Sequence, residues 1–277
     1  VSATANVEQW SGKDRGDENF PVGSILIRRA LRPHVHAYYQ FARNADDIAD
    51  SATLAPRDKI DRLNTLQAVL LGIRDDGAPS AAALRASLAQ TGVSAARGTD
   101  LLIAFRQDAV KTRYADWHEL AAYCRCSAVP VGRYLLDLHG EPAATHSGSD
   151  ALCTSLQILN HLQDCADDLA SMDRCYLPQT MMAAHGATID DLRRDHLTPA
   201  LRRVIDDLLD HCDGLNFIAD TLAPACRSRG MRLESAVIVA LAQRLAQRLR
   251  RQDPLAGRVK LTKPDLAGAL LAALRHL

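Results

Sequence analysis

The chain has 277 residues, 47% of them apolar and only 4% aromatic, rich in Ala and Leu: it can bury a sizeable core and favours helices over sheets. Lys plus Arg and Asp plus Glu balance at 33 each, and no basic stripe carries interleaved aromatics, which speaks against a nucleic-acid partner. The seven cysteines, odd in number and without a C-x-x-C pair, read as buried thiols in a reducing cytosol. No stretch offers the roughly 18 uncharged apolar residues of a membrane span, and Val1 to Trp10 lack the pattern of a signal peptide, so a soluble, cytoplasmic protein is expected.

In chain order, residues 11–19 are polar and breaker-rich, hence a loop. They lead into Phe20-Pro21-Val22-Gly23-Ser24, where Phe20 either closes over a cavity or anchors the N-terminal arm. A helix is expected from Leu31 to about Ser51, with Pro33 tolerated in its first turn. It contains Tyr39-Gln-Phe-Ala-Arg43-Asn-Ala-Asp46-Asp47-Ile-Ala-Asp50. Asp46 and Asp50 lie one turn apart, where like charges repel. Arg43 can neutralise one carboxylate. The cluster reads either as a solvated face or as a site for a hard divalent cation, which takes oxygen ligands.

Pro56 opens a second helix running to Gly72, with Ile60, Leu63, Leu66, Leu70 and Leu71 at helical spacing. Asp75-Asp-Gly-Ala-Pro-Ser is a turn, Ala81–Gln90 a short helix and Ser94–Tyr114 another, whose Arg106, Lys111 and Arg113 read as solvated cations. Asp116 caps a helix over residues 116–140 that Pro130 should kink. The kink either borders a pocket or only accommodates packing.

The apolar run Ala151–Leu159 then leads, with no breaker, into Asn160, Asp164 and Asp168 at i, i+4 and i+8. A helix over 149–170 would carry these oxygens in a row on one face. Two carboxylate clusters, both with apolar flanks, are hard to explain as two solvated surfaces. Arg174 and Tyr176 follow just past the second. Helices are expected again over 198–222 and 232–251, then a basic loop, Gly257–Pro264. A last Ala- and Leu-rich helix, Asp265–Leu277, suits a core or oligomer element and leaves peripheral membrane contact open. The total is roughly nine helices and no strand. Facing carboxylate-rich helices would suit Mg2+ ions gripping a diphosphate, whose departure leaves a carbocation in an apolar, water-poor cavity.

Three motifs in this order resemble the squalene and phytoene synthases: Arg43-Asn-Ala-Asp46-Asp47-Ile-Ala-Asp50, Tyr123-Cys-x-x-Ser-Ala-x-Pro-Val-Gly132 and Asn160-x-x-Gln163-Asp164-x-x-x-Asp168. Arg174-x-Tyr176-Leu-Pro178 stands at the family's usual place after them. The resemblance covers nearly the whole chain. It implies one all-α isoprenoid synthase domain over 1–277, a helical bundle around a central cavity, with 1–19 as an N-terminal arm and 265–277 as a C-terminal helix.

Glu18–Ser24 and Gly257-Arg-Val-Lys260-Leu look most like the bacterial hopanoid-pathway branch. That branch implies ionisation of presqualene diphosphate, rearrangement of its cyclopropane and water capture to give hydroxysqualene, with Mg2+ and without NADPH. By the same resemblance Asp46, Asp50, Asn160, Asp164 and Asp168 would ligate Mg2+, the four aspartates acting catalytically with Tyr123 near the reacting carbons. Phe20, Tyr39, Arg43, Asp47, Val129, Gln163, Arg174, Tyr176 and Lys260 would contact substrate. Cys126 and Val129 depart from the pattern, standing where Arg and Asn are expected. Alternatives are head-to-head condensation of farnesyl diphosphate to presqualene diphosphate, or of geranylgeranyl diphosphate to phytoene, and a non-catalytic assembly factor of the same fold. Retention of both Asp sets stands against the last.

Overall fold

A computed structural model describes residues 6–8 and 28–276; Phe20, the 11–19 loop and Glu18–Ser24 lie outside them. The described residues are all-α: thirteen α-helices, four short 3-10 turns and no strand, only an isolated bridge between Arg113 and Cys175. The chain forms two compact units, one of Val1–Lys111 with Arg133–Gly140, the other of Thr112–Gly132 with Glu141–Leu277.

The first unit holds α1 (Arg32–Asp50), α2 (Pro56–Leu70), α3 (Pro79–Thr91) and α4 (Ala96–Asp108). Proline stands in the first turn of α1, α2 and α3, where its missing N–H would have no helical partner anyway. Val35, Tyr38, Phe41, Ala45 and Ile48 recur at three- and four-residue steps along α1. They pack with Leu63, Leu66, Leu84, Leu101 and Leu102 into one buried core. Tyr134 closes it, stacked on Tyr38 with ring centroids 3.9 Å apart and donating its hydroxyl to the His34 carbonyl at 2.9 Å. Helix α4 ends at Asp108, earlier than its periodicity suggested, and residues 112–115 belong to an extended segment of the second unit.

The second unit comprises α5 (Trp117–Ser127), the start of α6 (Val129–His139), α7 (His146–Gln163), α8 (Cys165–Met172), α9 (Gln179–His185), α10 (Pro199–Ala219), α11 (Leu222–Ala225), α12 (Arg229–Arg251) and α13 (Lys263–Ala273). Its frame is α7 packed along α10, with α12 against both and α13 laid on α12. The kinked helix expected over 116–140 is two helices. They break at Ala128, and Pro130 falls in the first turn of α6, where it needs no donor. Gly132 makes close packing possible here: a Cβ would lie 2.5 Å from Cys153 Sγ and Ser149 Oγ of α7.

The continuous helix expected over 149–170 is also two. Asp164, at φ −108 and ψ 7, ends α7 and precedes α8, although its amide still reaches the Asn160 carbonyl at 3.0 Å and its carbonyl accepts from Asp168 N at 2.8 Å. All seven cysteines are thiols, and burial pushes those of Cys124, Cys165 and Cys212 up to about 12, so they act as packing groups rather than nucleophiles. No helix among the described residues is long and apolar enough to cross a membrane.

Gly148 of α7 is a sharp constraint in this unit, because an added Cβ would meet the Leu222 backbone nitrogen at 2.9 Å. Gly148→Ala should therefore destabilise the protein by about 1–3 kcal/mol despite the better helix propensity of Ala. The check is a urea unfolding curve, whose midpoint should fall with little change in slope.

Candidate active site

On α1, Tyr39, Arg43, Asp46 and Asp50 follow at helical steps and share the face opposite the Val35–Ile48 stripe. Arg43 is held by two carboxylates, 3.1 Å to Asp46 and 2.8 Å to Asp47, and Asp47 is itself buried. Despite this pairing the Asp46 carboxyl remains strongly perturbed. Burial first, then the neighbouring Asp50 charge, raise the Asp46 carboxyl to about 8; Arg43 opposes this, while Asp47 and Asp108 add to it. A further positive charge would relieve that repulsion. The donors are carboxylate oxygens, which suit a hard cation.

The second cluster is built around the break at Asp164. Asn160 lies on the last turn of α7 and Asp168 in the first turn of α8, where Asp167 and Asp168 complement the helix N-terminus. The break turns the single face expected from spacing into a corner, with the 160–164–168 backbone hydrogen bonds kept across it. Asp164 Oδ2 accepts from Arg258 Nη2 at 2.9 Å. Beside it the buried Gln163 amide donates to the Val259 carbonyl. The basic loop after α12 is therefore fastened at two points to the residues that open the second cluster. Lys260, the cation expected to serve the site, is exposed on that loop, whereas the loop's contact with the cluster is made by Arg258.

Arg174 and Tyr176 are both buried, immediately after α8. Asp173 closes that helix in the left-handed region at φ 52 and pairs with Arg113 at 2.7 Å. Backbone bonds from Cys175, Gln179 and Thr180 to the carbonyls of Thr112, Tyr114 and Ala115 then draw two strips of chain together. The result is a buried aromatic cluster. Tyr176 stacks on His161 at 3.5 Å and lies 5.5 Å from Tyr114 and 5.6 Å from Tyr123, which α5 supplies from the turn beyond Leu120.

Burial, assisted by the Arg174 charge, lowers His161 to about 3, so it is a neutral ring in this wall, with its Nε2 3.1 Å from the Gln157 amide nitrogen. Sequence reasoning missed His161 and Tyr114. His161 directly follows Asn160 and was hidden by it, and Tyr114 was assigned to the end of a helix that stops six residues earlier. Val129 and Cys126 are half-buried around the α5–α6 break.

Tyr39, Arg43, Asp46, Asp47 and Asp50 thus form one group in the first unit. Tyr123, Val129, Asn160, Gln163, Asp164, Asp168, Arg174, Tyr176 and Lys260 belong to the second. Among the described residues no three His, Cys, Asp or Glu side chains come together as a metal-binding group. Pairs of carboxylates with an amide oxygen nearby still suit Mg2+, which binds through one or two carboxylates and completes its shell with water and substrate phosphates.

Residues 13–265 match the squalene/phytoene synthase family. The chain is 42% identical over 271 residues to a hydroxysqualene synthase of Rhodopseudomonas palustris, covering 98% of this chain and 92% of that one. It is 41% identical over 265 residues to a hydroxysqualene synthase of Zymomonas mobilis, covering 95% and 89% respectively. The crystal structure of squalene synthase HpnC from Alicyclobacillus acidocaldarius is similar with a TM-score of 0.75 at 31% identity, over 86% of this chain and 90% of that chain. With a match of that extent and relatives of that identity, this all-α chain of the isoprenoid synthase fold belongs to the squalene/phytoene synthase family.

Proposed function

We propose that the chain converts presqualene diphosphate to hydroxysqualene and diphosphate, in a single functional domain over 1–277, as a cytoplasmic enzyme in peripheral contact with a membrane. The observation that carries this reading is the retention of both carboxylate sets, Asp46 with Asp50 and Asn160 with Asp164 and Asp168, in a chain more than 40% identical to hydroxysqualene synthases along nearly its full length.

In the reaction the C–O bond to the diphosphate breaks and the leaving group takes the electron pair. The cyclopropylcarbinyl cation rearranges, water adds to it, and loss of a proton leaves the alcohol. No hydride enters, so NADPH is not expected. Asp46, Asp50, Asn160, Asp164 and Asp168 would hold Mg2+, whose charge, when bound, offsets that developing on the diphosphate. Arg43, kept in place by Asp46 and Asp47, and Arg174, Lys260 and Tyr39 would bind and orient the diphosphate oxygens. Arg258 joins them through its contact with Asp164.

The cation needs surroundings that stabilise positive charge without attacking it. The faces of Tyr123, Tyr176 and Tyr114 supply negative electrostatic potential, the neutral His161 brings no competing charge, and Val129 keeps its stretch apolar. Gln163 would act by holding the 257–260 loop through Val259. Phe20 would help to exclude water.

A second reading is condensation of two farnesyl diphosphates to presqualene diphosphate, which begins with the same ionisation. It gains from Val129, which removes a polar group where water would be held. Incubating the protein and Mg2+ with presqualene diphosphate, and separately with farnesyl diphosphate, without NADPH, distinguishes them by mass spectrometry. Hydroxysqualene from the first substrate is expected. Presqualene diphosphate from the second would move the chain to the condensing branch, and no product from either would sink both readings.

Asp50→Ala and Asp168→Ala should each lower kcat at least about a hundredfold while the helical circular dichroism stays unchanged, because they remove oxygen ligands and no core volume. Wild-type turnover in either variant would refute the metal assignment. Arg258→Ala should raise KM for the diphosphate substrate about tenfold, with a stability change under about 1 kcal/mol, since the ion pair it breaks is partly solvated. Steady-state kinetics beside thermal melts give both numbers.

A further inference from the structure

Helix α13 is built inside out. It packs on α12 through Ala269 and Ala273, both buried, and through Gly268, where a Cβ would lie 2.6 Å from the Arg244 guanidinium. Its large side chains point the other way: Leu266, Leu270 and Leu274 are about half exposed and Leu271 is 70% exposed. At 3.6 residues per turn these leucines cover an arc of about 140°, with only Ala267 among them and no charge between Asp265 and Arg275. Ordinary burial puts leucine inward and alanine outward. A helix with the opposite arrangement has an outer face made to be covered. The last turn of α10, whose Ala219 lines the same small cavity as Ala272 and Arg275, also leaves Ile218 and Phe217 exposed.

We infer that the leucine face of α13 is a docking surface for an anionic lipid membrane. Charge selects this occupant. Lys263 stands at one end of the leucine ridge and Arg275 at the other. Between Arg250 and Arg275 the exposed cations Arg251, Lys260, Lys263 and Arg275 stand against only Asp253 and Asp265, in a protein of zero net charge, while Arg250 is taken up by Asp210 and Asp213 and Arg258 by Asp164. Asp265 is already neutralised by Arg248 at 2.7 Å. The ridge is thus apolar with a cationic rim, the pattern of a helix lying in the plane of an anionic bilayer. A second copy fits less well, because a two-fold contact through this face would bring the same cations together. At eleven residues, about 16 Å, α13 is far too short to span a bilayer and can only lie on it. The purpose of such docking rests on the reading of the reaction above: both substrate and product are long apolar chains that partition into lipid.

The experiment is co-sedimentation of the full chain with phosphatidylcholine vesicles, with and without phosphatidylglycerol, for the wild type and a Leu270→Gln, Leu271→Gln, Leu274→Gln variant. The wild type should bind the phosphatidylglycerol vesicles, less so as salt is raised, and the variant about tenfold or more weakly, with unchanged circular dichroism and unchanged turnover of detergent-dispersed presqualene diphosphate. Equal vesicle binding by variant and wild type would overturn the proposal. So would absence of wild-type binding, or a wild-type dimer in sedimentation equilibrium that the variant dissolves, since a second copy would then cover the face. The vesicle arm contains no substrate and decides the surface alone, while the turnover arm decides the reaction.

Discussion

Two carboxylates one helical turn apart, pressed into a partly desolvated setting, are unfavourable unless positive charge accompanies them, and both clusters of this chain are organised by that requirement. On α1 the answer is partial: Arg43 is shared between Asp46 and Asp47, and Asp46 keeps a carboxyl that burial and Asp50 push strongly towards protonation. On the second cluster Arg258 comes from a loop about ninety positions away in sequence to meet Asp164, and Gln163 holds the adjoining backbone. Carboxylates gathered in this way offer oxygen ligands of the kind a hard cation takes. The buried aromatic cluster beyond α8 obeys a different constraint: its imidazole, His161, is neutral because burial and the Arg174 charge both oppose a proton there.

Much of the architecture was legible because the apolar positions of α1, α2, α10 and α12 recur cleanly at helical spacing and their starts carry proline or a capping residue. The boundaries that failed share one cause: a local hydrogen-bonding change that periodicity does not register. Asp164 departs from helical angles with no Gly or Pro near it, so nothing in the residue string separates α7 from α8. Pro130 did announce a disturbance, but whether a proline kinks a helix or begins a new one depends on the backbone just before it, and Ala128, where the helix breaks, gives no sign. The span to Tyr114 was too long because the carbonyls of Thr112, Tyr114 and Ala115 accept from the amides of Cys175, Gln179 and Thr180, a contact remote in sequence.

The candidate site was legible in its acidic residues and less so in what surrounds them. Asp46, Asp50, Asn160, Asp164 and Asp168 announce themselves by spacing and by their cost in an apolar setting. Arg258 and His161 do not. One is a basic residue in a basic loop, indistinguishable by type from Lys260 two positions on, and the other looks like an interior residue of an apolar helix. Their roles depend on distances of 2.9 Å to Asp164 and 3.5 Å to Tyr176 that only folding establishes.

The path of the chain through the first unit bears on how the protein is made. Residues 1–111 contain four of its helices, yet the core they form is closed by Tyr134 and Leu138, which arrive only after the chain has passed through residues 112–132 of the other unit. On a ribosome the N-terminal helices would emerge with Tyr38 lacking its stacking partner. Translation order therefore delays completion of the first core until α6 has left the exit tunnel. In that interval apolar surface meant for the core has no partner, and a slower passage from residue 111 to 140 prolongs its exposure.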